Sequence, residues 1–80
     1  MKKVLDKELE NFYGRAKYLL SINTEITDND RIRDLLSDSF SNLSNGLYND
    51  GIRDAEVVVN ALNDADLKES FDRMRVKINE

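Results

Sequence analysis

Apolar residues recur at steps of three and four along nearly the whole chain, and that rhythm limits the fold more than any other feature. Leu5, Leu9, Phe12, Ala16 and Leu19 follow steps of four, three, four and three, with Val4, Tyr13 and Leu20 widening the stripe. The spacing predicts a first helix over about residues 3–22. Gly14 lies inside it at a cost of ~1 kcal/mol relative to Ala, and its small size suits close approach of another backbone. Thr27 followed by Asp28, Asn29 and Asp30 supplies a capping oxygen and acids at the positive end of a second helix dipole. That helix carries Ile32, Leu35, Leu36, Phe40, Leu43 and Leu47. Two stops are open to it: a left-handed turn at Asn45-Gly46, or a break at Asn49-Asp50-Gly51. The second is preferred, with fraying near Gly46, which gives a helix over 28–49.

Ile52, Ala55, Val58, Val59 and Leu62 mark a third helix over 52–62, and the run Val57-Val58-Val59 spreads apolar surface as a central helix does. The run favours β-structure locally, but its neighbours keep a helical period. Between Leu62 and Leu67 the step of five falls out of phase, and Asn63-Asp64 offers capping chemistry at the same place. Leu67, Phe71, Met74 and Ile78 restore the rhythm in a fourth helix over 64–79, where Glu69 precedes Arg73 by four residues in the favourable pairing orientation. The fold class read from this pattern is all-α: a small antiparallel bundle of four helices forming one domain, 1–80.

With 80 residues and neither His nor Cys, the chain must fold on its apolar core, because disulfides and the usual zinc ligands are lacking. The same absence removes the side chain that titrates near neutral pH and the most nucleophilic residue. Gly14, Gly46 and Gly51 are too scattered for a phosphate-cradling loop, and the serines between Ser21 and Ser44 sit in no Gly-x-Ser-x-Gly elbow or Ser-x-x-Lys spacing. Asp28, Asn29 and Asp30 look like the start of a calcium loop, but Arg33 stands where the turn glycine is required. Asp34 with Asp38, and Asp6 with Glu10, share helix faces four residues apart; a pair of carboxylates without a third ligand is read as a solvated face. The expectation is a protein that is not an enzyme and carries no cofactor and no metal.

The opening Met1-Lys2-Lys3 resembles a signal peptide only until charges recur at Asp6 and Lys7, and no run approaches the ~20 apolar residues of a membrane span. A cytoplasmic location is expected. Sixteen acidic and 12 basic side chains leave a net charge of −4, the wrong sign for general contact with phosphates, so direct nucleic-acid binding is disfavoured. Between Ser21 and Asp66 ten acids face three bases, Arg31, Arg33 and Arg53. An acidic middle serves solubility and capping, or offers a face to a basic partner. The candidate anchors are apolar residues outside the core stripes, Tyr18, Tyr48, Val57 and Val76. Asp34, Asp38, Arg53 and Asn60 complete the candidate partner-binding set, with Val57 expected to share a helical face with Arg53, Asn60 and Asp64.

Glu8 to Leu20, the loop Ile26-Thr27-Asp28-Asn29, the segment Arg31 to Leu36 and the segment Ala55 to Leu62 together resemble the layout of class IIa bacteriocin immunity proteins of Gram-positive bacteria. The resemblance covers about residues 8–62 and consists mostly of helix-forming pattern. It implies an antiparallel four-helix bundle in the cytosol that protects a producer cell by engaging a bacteriocin-bound membrane sugar transporter. The functional expectation is a small acidic binding protein of immunity or inhibitor type that occupies the surface of another protein, membrane-associated or not. The alternatives are a homodimeric helical regulator of transcription or assembly, and a phage or mobile-element inhibitor of a host or defence protein.

Overall fold

The computed structural model describes residues 3–22 and 29–79, with side chains from Asp6 onward in the first segment. Four helices follow one another: α1 (Lys3–Ile22), α2 (Asn29–Ser44), α3 (Tyr48–Leu62) and α4 (Ala65–Asn79). No strand occurs among the described residues. The proposed Thr27-Asp28 cap and the side chains of Val4 and Leu5 lie outside the described residues. Each helix runs antiparallel to the next in the chain, and α4 returns along α1. Thus Arg73 of α4 meets Glu8 near the start of α1, and Arg15, about two helical turns further on, meets Asp66 at the start of α4. Both α1 and α3 touch all three other helices, whereas α2 and α4 do not touch each other. Valine-rich α3 is therefore central, as its apolar breadth suggests, and it shares that position with α1.

The core is built from the helical stripes: Leu9, Phe12, Ala16 and Leu20 from α1; Ile32, Leu36 and Leu43 from α2; Ala55, Val58, Val59 and Leu62 from α3; Leu67, Phe71 and Met74 from α4. Tyr13, Leu19, Leu35, Phe40, Ile52 and Ile78 pack on its edge. Two tilted ring contacts tie helices together, Phe12 with Phe71 at 5.8 Å and Tyr13 with Phe40 at 4.5 Å between centroids, a geometry that edge-to-face electrostatics favours.

The boundary between the second and third helices differs from the expected one. α2 ends at Ser44, and Gly46, at φ +82°, closes it. The Gly46 N–H donates to the Leu43 carbonyl at 3.3 Å and the Leu47 N–H to the Asn42 carbonyl at 2.8 Å. This paired pattern satisfies carbonyls that the helix end would leave open. The expected break at Asn49-Asp50-Gly51 does not exist; α3 begins at Tyr48 and runs through Gly51. Leu47, expected in the core of the second helix, sits in the turn and is 54% exposed.

Gly51 has a spatial role. A Cβ there would lie 2.5 Å from Leu43 Cγ and 2.7 Å from Leu43 Cδ2, distances real Cβ atoms do not reach. The missing side chain lets α2 and α3 approach closely, and buried Ser39 donates its hydroxyl to the Gly51 carbonyl across that contact at 2.8 Å. Gly14, expected to admit a neighbouring backbone, has nothing within 4 Å of its would-be Cβ.

The turn between α3 and α4 is where the five-residue step placed it. Asn63 ends α3 in the left-handed conformation at φ 49°. Asp64 caps α4, its Oδ2 accepting the Leu67 N–H at 2.9 Å.

Candidate interaction surface

Close packing of α2 on α3 brings two solvent faces side by side. On α3, Arg53, Val57 and Asn60 stand at i, i+4 and i+7, about one helical stripe, on the side away from buried Ala55, Val59 and Leu62. All three are exposed, and Val57 retains 40% of its accessible surface. On α2, Asp34 and Asp38 are exposed one turn apart. Asn42 of α2 reaches Asp54 of α3 at 3.5 Å, joining the two helices at their edge. Five of the eight candidate residues therefore belong to the outer surface of one helical hairpin. Its charge is negative: α2 carries three acids and two bases, and α3 three acids and one base.

The other three candidates do not join this face. Tyr48 is a correction. It is half-buried and packs against the core, because in the frame of α3 it starts the series Tyr48, Ile52, Ala55, Val59, Leu62 in steps of four, three, four and three. Tyr18, 53% exposed on α1, and Val76, 59% exposed on α4, lie at opposite ends of the α1–α4 pair. The Arg15 guanidinium lies 5.6 Å from the Tyr18 ring centroid, while Val76 borders a shallow depression with Glu8, Arg73 and Lys77. Ile22 and Leu47 are equally exposed apolar side chains that the core stripes had not flagged as anchors.

The main electrostatic feature absent from the sequence reading is a latch between α1 and the α3–α4 turn. Arg15 Nε and one terminal nitrogen donate to the two carboxylate oxygens of Asp64 at 3.2 and 3.3 Å, and the guanidinium also lies 3.7 Å from Asp66. The Arg15 hydrogen bonds, reinforced by the Leu67 N–H, hold the Asp64 carboxyl below its ordinary pKa, and Asp64 in turn raises that of Arg15. The two residues are 49 positions apart, beyond any short-range pattern. On the same side of the molecule Arg73 bridges Glu69 at 3.0 Å, as its spacing predicts, and Glu8 at 3.3 Å.

Among the described residues no group of three or more His, Cys, Asp or Glu side chains could hold a metal ion, and no helix is long and apolar enough to cross a membrane. No family model, curated protein or solved structure matches the chain. The arrangement on α2 and α3 is suited to contact: an apolar side chain amid hydrogen-bonding and charged groups, on a closely packed pair of helices.

Proposed function

We propose that this chain is a binding protein of the neutralising or immunity type, which acts by covering part of another protein's surface with the outer face of α2 and α3. The observation that carries the reading is Val57, a β-branched side chain 40% exposed between Arg53 and Asn60 on a central helix. An apolar centre ringed by polar groups is the general layout of a protein interface, and Arg53 beside it is of a residue type enriched at hot spots. The acids of the hairpin, including Asp34 and Asp38, would steer a basic partner and repel acidic ones, setting the rate and choice of encounter more than the final affinity. The bacteriocin immunity role implied by the sequence resemblance is the narrow form of this proposal, with a cytoplasmic chain and a membrane-associated target.

Affinity capture with the wild-type chain and Val57→Asp as paired baits tests the broad form. A protein held by the wild type and lost with the variant, whose helical circular dichroism is unchanged, supports it. Equal capture by both baits, or capture by neither, overturns it. Expression of the chain in a bacteriocin-sensitive cell tests the narrow form, which unchanged killing removes.

A further inference from the structure

The groove between α1 and α2 holds a feature that the α2–α3 face does not use. Tyr13, Lys17 and Leu20 of α1 and Arg33, Leu36 and Ser37 of α2 line a cavity of about 240 Å³, open on one side. Its size is below the ~300–1,000 Å³ typical of pockets for drug-sized ligands, so it accommodates one ring or short chain with one charged group. The walls divide by chemistry. Leu20 and Leu36 are buried core residues and form an apolar floor, while the Tyr13 ring, fixed by its contact with Phe40, forms one side.

The rim carries two cations in a molecule that is acidic overall. Lys17 Nζ lies 5.5 Å from the Tyr13 ring centroid, and Arg33 Nε donates to Asn29 Oδ1 at 2.7 Å. Neither cation pairs with a carboxylate among the described residues, although Arg15 and Arg73 each hold two. The Asn29 contact fixes the Arg33 side chain through Nε, leaving its terminal nitrogens to form a two-pronged bond with a carboxylate or phosphate.

We propose that this cup binds a small organic anion, its carboxylate or phosphate gripped by Arg33 and Lys17 and its apolar body laid on Tyr13, Leu20 and Leu36. The site lies on the opposite edge of α2 from the α3 contact, so it stands independently of the function proposed above.

Phenyl phosphate and phenylacetate are the probes, each titrated to millimolar concentration into isotope-labelled protein followed by NMR, with inorganic phosphate as the anion lacking a body. The expected result is saturable binding of at least one aromatic anion, with shifts centred on Tyr13, Lys17, Arg33 and Ser37. The stronger of the two probes identifies the charged group as phosphate or carboxylate. Loss of one charge-assisted hydrogen bond weakens binding about tenfold, so Lys17→Gln and Arg33→Gln should each show that loss; Val57→Asp should bind as the wild type does. Lys17 and Arg33 are exposed, and the fold of both variants is checked by their spectra. The proposal is overturned if neither aromatic anion saturates, if both Gln variants bind undiminished, or if inorganic phosphate binds as tightly as phenyl phosphate.

Discussion

Alanine at the two helical glycines should move stability in opposite directions. In a helix interior Gly→Ala gains up to ~1 kcal/mol through backbone entropy and propensity. Gly14 receives that gain undiminished, since its would-be Cβ meets nothing within 4 Å. At Gly51 the same gain is opposed by a clash. The new Cβ would stand 2.5 Å from Leu43 Cγ and 3.2 Å from the Leu43 backbone nitrogen, so rotating the outer methyl group cannot relieve it. Leu43 is buried, and α2 must shift against α3 or Leu43 must leave its rotamer, an overpacking cost of ~1–3 kcal/mol. The net expectation is about +1 kcal/mol for Gly14→Ala and about −1 kcal/mol for Gly51→Ala.

Urea unfolding followed by far-ultraviolet circular dichroism resolves the difference. With a slope of ~1 kcal/mol per molar for so small a protein, the two midpoints should separate by about 2 M. A second comparison assigns the cause. In a Gly14→Ala background, which adds margin, Leu43→Ala removes both side-chain atoms in the way, and Gly51→Ala should then lose most of its penalty. If Gly51→Ala raises the midpoint as Gly14→Ala does, the absence of a Cβ does not set the spacing of α2 and α3, and the reasoning fails.

Asp64→Asn keeps a capping oxygen but removes the charge facing Arg15, so it should lower stability at neutral pH. Because folding lowers the Asp64 pKa, its contribution is complete above the ordinary carboxylate range and is lost as pH falls through the folded value. The gap between wild type and variant should therefore close in acid, and a gap that stays constant would refute the latch. Ser70 Oγ is buried with no hydrogen-bond partner among the described residues, so thermal melts should place Ser70→Ala within ~0.5 kcal/mol of wild type or above it. Ser39→Ala, which removes the hydroxyl bonded to Gly51, should cost ~0.5–1.5 kcal/mol in the same assay. Val57→Asp should leave the melting curve within ~0.5 kcal/mol of wild type, while Val58→Asp, which puts a charge at a fully buried position, should abolish cooperative unfolding.

The core stripes were legible because each reports a local property, the side of a helix on which a residue falls. All of Leu9, Phe12, Ala16, Val58, Leu67 and Met74 are buried, and α1 and α4 end within a residue of their expected limits. The α2–α3 boundary was not legible because a glycine has two separate uses. Gly46 supplies a positive φ and Gly51 supplies space, and residue type alone does not distinguish them. Leu47 compounded the error by lying four residues after Leu43, which extends the α2 rhythm past its true stop. In the frame of α2 Tyr48 falls off the apolar stripe and has the look of an anchor, whereas in the frame of α3 it is on the stripe. The pairing of Arg15 with Asp64 and the meeting of Lys17 with Arg33 depend on helices coming together in space.

That division bears on where partner contact is proposed. The structural devices face inward or along seams: Gly51 with Ser39 between α2 and α3, Asp64 with Arg15 between α1 and α4, Gly46 at a helix end. Arg53, Val57 and Asn60 take part in none of the described contacts between helices, and replacing them should leave the bundle intact. A β-branched residue also lowers helix propensity relative to Ala or Leu. Val57 lies outside the core cluster and slightly opposes the helix that carries it. Its stiff side chain is costly for solubility alone and useful for contact, since a surface with one fixed rotamer loses little entropy when a partner covers it. The α3 face therefore takes precedence as the proposed contact over Tyr18 and Val76, which lie apart at the ends of another helix pair, and Val57 is the position at which to separate binding from folding.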